Sequence, residues 1–382
     1  MTRSVRGAAM VALSVCAIIG TVGCGSSGSS GGAKGSSSSG ATSAAQLAAA
    51  TRVVNEYLKT PTKIPVSTPL KARPPSGKTI VFMQCDVSQC AEQGAGIKAA
   101  AAALGWTGKI IPYQSANPAS LVAGMKQALQ YHPVATVVGA LGYSVWKSVV
   151  PAYAQAGVPI IGFFDSTPIT KTIVGSIGSN SRYAAAGNIL GDWAIAHSKG
   201  HAHALIWTIP QYNVQVTWAN ALKNTLEKGC SGCTATVLDT SAADLTSGAA
   251  PQEIVSAVKR DPSINYILLS DTGFVPSLPE TLKTAGVTNV TIAGDSGLAV
   301  NEQDLKSGTE SAIVTLPLRE TAWTVVDLAA RHLEGMTYPS DDGGLGGMVM
   351  QILTKSNVGT PSDDYQAPSN YQQQFERLWH VG

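Results

Sequence analysis

One unit recurs along this chain and limits what it can fold into: a short apolar run, a polar turn, then a helix of small or amphipathic residues. Its clearest instance is Gly77 to Trp106, GKTIVFMQCDVSQCAEQGAGIKAAAAALGW. Thr79 to Met83 is β-rich and apolar throughout, as a strand covered on both faces must be. Gln84 to Gln89 is a polar turn, and Ala91 to Leu104 is a run of helix formers stopped by Gly105. The turn therefore lies at the carboxyl end of the strand, where open α/β sheets hold their ligands.

The unit repeats. Strands are predicted at Lys109 to Tyr113, Val134 to Val138 and Val158 to Phe164, with helices over Pro118 to Tyr131 and Val145 to Ala156. Thr172 to Ile177 is extended with no helix before it, and a long helix, Tyr183 to His197, follows. The alternation then resumes from Ala204 to Lys306. Strands alternating with helices imply parallel sheets joined by right-handed crossovers. The one extended run without its helix predicts a chain passing from one lobe to another, and 382 residues suffice for two cores.

The beginning of the chain is a different material. Residues 1–23 carry Arg3 and Arg6, then an apolar stretch from Ala8 to Val22 that is short for a membrane span, the pattern of a signal peptide. Thr21-Val22-Gly23-Cys24 resembles the bacterial lipoprotein box, which implies lipid on Cys24; an ordinary signal peptide with an incidental cysteine is the plainer alternative. Residues 24–45 are a Gly/Ser-rich tether unable to bury a core. Residues 46–77 hold a helix with apolar spacing (Leu47, Val53, Val54, Tyr57) and a lead-in with five prolines between Thr60 and Ser76. The folded body is expected to start near Lys78, and residues 361–382 to form a C-terminal tail.

Composition excludes some partners. Only 13% of residues are charged, and without Arg3 and Arg6 the chain has 24 basic and 24 acidic residues. No basic stripe runs along it, which argues against nucleic acid. There is no Gly-x-Ser-x-Gly elbow, Walker A loop or His-Glu-x-x-His, so no enzyme and no cofactor are expected. His197, His201 and His203 lie between a helix end and a strand without a carboxylate or cysteine beside them, and read as a helix terminus rather than a metal site.

Four stretches carry a family resemblance: GIKAAAAALGW (Gly96 to Trp106), AGVPIIGFFDS (Ala156 to Ser166), TIAGDSGL (Thr291 to Leu298) and SGTESAIVTLPLRETAWTVVDLAARHLEG (Ser307 to Gly335). In that order they resemble the type I periplasmic solute-binding proteins of ABC importers, in the sugar-binding branch. The resemblance implies two Rossmann-like lobes, residues 78–177 plus 314–340 and residues 178–313 plus 341–360. It implies three crossings, near Gly175 to Ser179, Ala312 to Pro317 and Tyr338 to Gly346, and a ligand held in the cleft between lobes that close by hinge motion. Its implied partners are a small sugar or polyol, an ABC permease and the membrane through Cys24, for a monomer outside the cytoplasm. A sensor presenting its bound state to a membrane receptor, or a binder of amine-bearing or aromatic molecules, fits the same fold.

Carried over position by position, the resemblance assigns the cleft Asp86 and Gln89 from the first loop, Phe164 and Asp165 after the fourth strand, and Asp271, Asp295 and Thr315 from later strand ends. Phe164-Asp165 stands where the branch has Asp-Arg, so the clamp arginine is missing from its usual place. Tyr143, Tyr212 and Trp218 join the candidates because sugar faces stack on rings and these residues fall at predicted strand ends or helix starts. Such a cleft suits ligands rich in hydrogen-bond donors. The alternative for each aspartate is a helix cap or a turn amide.

Past Cys24, Cys85, Cys90, Cys230 and Cys233 remain, and four cysteines in an exported chain allow three pairings. Cys85 and Cys90 flank one tight loop and Cys230 and Cys233 another, so local pairs are expected, the first stiffening a ligand loop. Cys230-Ser231-Gly232-Cys233 has redox spacing, but it follows a helix rather than opening one.

Overall fold

A computed structural model of the chain describes residues 42–338, 347–362 and 365–382. The signal segment, Cys24, most of the tether and the crossing expected up to Gly346 lie outside these residues.

The described chain opens with helix α1 (Ala44–Tyr57), whose N-cap Ser43 and Gln46 form a reciprocal capping box. Strand β1 (Thr79–Gln84), helix α2 (Ser88–Ala103), strand β2 (Thr107–Pro112), helix α3 (Pro118–Ala128) and strand β3 (Ala135–Gly139) follow. Two short helices, α4 (Tyr143–Trp146) and α5 (Val150–Ala156), lead to strands β4 (Ile160–Phe163) and β5 (Ile173–Ile177). These strands form a parallel sheet in the order β2-β1-β3-β4-β5.

The second set begins with α6 (Asn180–His197), β6 (His203–Thr208), α7 (Asn213–Gly229) and β7 (Thr234–Asp239). It continues through α8 (Ala242–Ser247), α9 (Ala250–Arg260), β8 (Tyr266–Leu269), α10 (Leu278–Thr284), β9 (Thr291–Asp295), α11 (Ala299–Ser307) and β10 (Ala312–Thr315). Helix α12 (Leu318–Leu333) returns to the first lobe, strand β11 (Gln351–Leu353) to the second, and α13 (Tyr371–Leu378) ends the chain. The second sheet runs β11-β10-β9-β8-β6-β7, with only β11 antiparallel. The molecule is thus α/β with two Rossmann-like units, as the alternation predicts.

The inner strands are apolar and covered: Ile80 to Met83 of β1 and all five residues of β3 are buried. Helix α2 packs its small-residue face on α12, and a Cβ at Gly96 would stand 2.7 Å from both the Ala322 side chain and the Arg319 carbonyl. That closeness is why an Ala/Gly-rich helix is used there. The first passage between lobes runs through Gly178, whose φ of 72° is left-handed. The second runs through Leu316 and Pro317, just after β10.

Three boundaries differ from the sequence expectation. Residues 314–315 belong to β10, in the second sheet, because Ile313 to Thr315 pair with β11 and Ala312 to Val314 with β9. The body begins before Lys78: α1 packs on α6 of the second lobe, while Ile64, Val66 and Leu70 sink into the first-lobe core. Residues 361–382 are no tail. Tyr371, Phe375 and Trp379 are buried against Trp323, with the Trp323 and Trp379 rings stacked at 5.2 Å, and Trp379 Nε1 donates to Asp327 Oδ1 at 2.8 Å.

Candidate functional site

The carboxyl ends of both sheets face a common space. One continuous cluster of buried side chains takes in Val81, Met83 and Tyr113 from one lobe and Trp207, Ile209 and Leu269 from the other, so the lobes are in contact. Within that contact lies a cavity of about 60 Å³. The first lobe contributes Val87, Gln89, Gln93, Ala140, Phe164 and Leu318; the second contributes Tyr183, Tyr212, Gln215, Asp271, Phe274 and Ser296. Cys85 and Cys90 also line it and are bonded to each other, and Cys230 pairs with Cys233, the local arrangement in both cases.

Backbone strain gathers at this cavity. Ala140, Phe164 and Ser296 each follow a strand end and have φ of 67°, 54° and 55°. Left-handed conformations are unfavourable for residues with a Cβ and persist where the surroundings impose them, commonly at ligand sites. Here they turn the chain sharply off β3, β4 and β9 and aim the following loops into the interlobe space.

Asp271 is the acidic side chain of the cavity wall among the described residues. Its Oδ1 accepts the Gly273 N–H at 2.9 Å and, from the opposite lobe, the Gln89 side-chain Nε2 at 2.9 Å. Its Oδ2 accepts no hydrogen bond among the described residues. Burial drives the Asp271 carboxyl well above the usual carboxylate range, the charge of Asp295 adds to this, and the Gly273 and Gln89 donors act against it.

The ten candidates separate cleanly. Gln89, Phe164, Tyr212 and Asp271 line the cavity; the other six do not. Asp86 is exposed and accepts the Ser115 hydroxyl at 2.7 Å and the Ser115 N–H at 3.2 Å, so it holds the loop after β2. Tyr143 packs edge-to-face on Trp146 at 5.0 Å. Asp165 is fully buried beside the cavity and accepts the Thr167 hydroxyl at 2.7 Å, burial pushing its carboxyl up. Trp218 lies in the second-lobe core, in the second turn of α7, and packs away from the cavity. Thr315 is buried in β10.

Asp295 is paired within the protein. Both of its oxygens bond the guanidinium of Arg182, Oδ1 at 2.7 Å from Nη2, and both side chains are fully buried. Burial alone would lower the Arg182 pKa, but Asp295 raises it, so the guanidinium stays charged. An arginine in the first turn of α6, not one after β4, is therefore the cation near the strand ends, and it is spent on a protein carboxylate. A signal for it exists in the sequence. A cation in the first turn of a helix opposes the helix dipole, which calls for a nearby anion. Among the described residues no cluster of His, Cys, Asp and Glu could hold a metal, and no helix is long and apolar enough to cross a membrane.

Residues 80–337 match the periplasmic binding protein domain family. The fold is similar to that of a glucose-galactose binding protein from Geobacillus stearothermophilus, with 17% identity, a TM-score of 0.63, and 74% of this chain and 99% of that one covered. A carbohydrate transporter from Acidothermus cellulolyticus 11B in complex with myo-inositol aligns over 79% of this chain and 99% of that one, at 18% identity and a TM-score of 0.59. A LacI-type transcriptional regulator from Bacteroides fragilis aligns at 15% identity and 0.62, covering 74% of this chain and 99% of that one. No curated protein matches the chain in sequence.

Proposed function

The chain belongs to the periplasmic binding protein domain family, and from that premise we propose that it is an extracytoplasmic binding protein. In this reading it captures a small polar solute of the sugar or polyol class between its lobes and delivers it to an ABC permease, anchored to the membrane by lipid on Cys24. The observation that carries this is the cavity itself, built from the strand-end loops of both sheets, with three left-handed non-glycine residues and a free carboxylate oxygen in its wall. Its volume of about 60 Å³ is well below the roughly 300–1,000 Å³ of a small-molecule pocket. The lobes must therefore part for a sugar to enter, about Gly178 and the Leu316-Pro317 passage. The carbohydrate names borne by the similar structures support the ligand class.

A melting-temperature screen of the exported chain against neutral sugars, polyols and amino sugars tests the proposal. A ligand at a hundred times its Kd stabilises the fold by about 2.7 kcal/mol, which is a shift of several degrees. The shift should shrink in Phe164→Ala, which removes a ring from the cavity wall. A panel in which no compound moves the melting temperature would overturn the reading.

A further inference from the structure

We infer that the cleft selects ligands carrying a protonated nitrogen, amine-bearing sugars or polyols, with the Asp271 carboxylate as counterion; this rests on the interlobe site proposed above. Charge at the cavity is one-sided. Among the described residues Asp271 is the one acidic or basic side chain in the wall, it is 8% exposed, and its Oδ2 has no hydrogen-bond donor. Arg182, the nearby cation, has both Nη atoms on Asp295. Arg319, in the first turn of α12 beside the cavity residue Leu318, turns its Nε to Glu92 at 2.8 Å. Among the described residues the wall thus offers no free guanidinium or ammonium to a ligand, and it leaves one carboxyl without a counter-charge.

The remaining polar groups are neutral. Gln89, Gln93, Gln215 and Ser296 can exchange hydrogen bonds with hydroxyls of either polarity. Four rings, Phe164, Tyr183, Tyr212 and Phe274, complete the wall, and Tyr212 and Phe274 lie 5.9 Å apart. Aromatic faces attract cations and also accept the C–H faces of sugar rings. A buried carboxylate is stabilised most by a charge-assisted donor, so a hydroxyl on Oδ2 leaves the charge unmet where an ammonium meets it. A carboxylate or phosphate ligand would face Asp271 with no cation to offset it. Outside the cavity, exposed Asp86 lies close enough to Tyr212 to act on its hydroxyl, and adds negative potential on the same side.

Isothermal titration of the full folded chain with matched pairs decides the matter: glucosamine against glucose and N-acetylglucosamine, galactosamine against galactose. At least one amino sugar should bind about tenfold or more tightly than its neutral partners, a difference of about 1.4 kcal/mol. Asp271→Asn, checked for an intact melting transition, should erase that preference. Neutral sugars binding as tightly as their amines, or a preference that survives Asp271→Asn, would overturn the inference and leave the sugar-binding reading standing. Silence from both members of every pair, and from the neutral panel, would remove that reading and the inference together.

Discussion

Two neighbouring strand ends of the second sheet show how the same residue type reaches opposite fates. Asp295 closes β9 and Asp271 follows β8, the strand beside it. Both are buried, and burial raises both carboxyls. Asp295 is enclosed by the Arg182 fork and the Ser296 N–H at 2.8 Å. Asp271 receives neutral donors on one oxygen only. The first is a closed pair behind the wall; the second is a carboxyl with one oxygen still open to a partner. What separates them is one arginine 113 residues away in sequence.

Breaking the closed side should have the largest effect. Arg182→Met strands a buried carboxylate, and removing one member of a buried ion pair costs about 3–5 kcal/mol. Urea unfolding should show that loss, and Asp295→Asn should cost a comparable amount by leaving the guanidinium alone. If either variant keeps wild-type stability, the pair is not buried as described.

The two disulfides sharpen the contrast between cavity and periphery. Cys85–Cys90 lies in the cavity wall and Cys230–Cys233 near α1, where the Gly232 N–H donates to Thr42 at 3.2 Å. Replacing either pair with serine should lower stability by about 2 kcal/mol, because both loops are short. Only the Cys85/Cys90 double serine variant should also weaken ligand binding, since Gln89 reaches Asp271 from inside that loop. Parallel denaturation and calorimetry separate the two effects.

Opening the other side should act through pH. The folded-state carboxyl of Asp271 lies above its unfolded value of about 3.9, so its stabilising contribution is complete below that value and disappears as pH rises through the folded one. The ligand-free wild type should therefore lose melting temperature between acid and neutral pH more steeply than Asp271→Asn. Glu310 offers a smaller version of the same experiment. Burial pushes it up to about 8, Asn301 donates to it at 2.9 Å, and its contribution fades from about pH 4.3 upward through 8. Glu310→Gln should flatten that part of the profile.

Much of the fold is legible in local chemistry. Apolar runs of strand length, small-residue helices and glycine stops mark nearly every βα unit, because each signal lies within the element it specifies. The missed elements had signals too: Tyr371, Phe375, Leu378 and Trp379 repeat at helical spacing, and that stripe buries itself on Trp323. The site is less legible. Gln89, Phe164, Tyr212 and Asp271 can be picked out because strand-end loops face the cleft. The roles of Asp86 and Asp295 cannot, since their partners, Ser115 and Arg182, come from other elements. Nothing in the identities of Ala140 and Ser296 announces a left-handed backbone, as both are imposed by the turn off a buried strand.

A crystal structure with a bound ligand is the most direct test. The account predicts a ligand between the lobes with a polar atom, a nitrogen on the further inference, within hydrogen-bond distance of Asp271 Oδ2, and the Arg182–Asp295 pair unchanged. A ligand seated on Asp295 with Arg182 swung away, or bound outside the interlobe cavity, would contradict it.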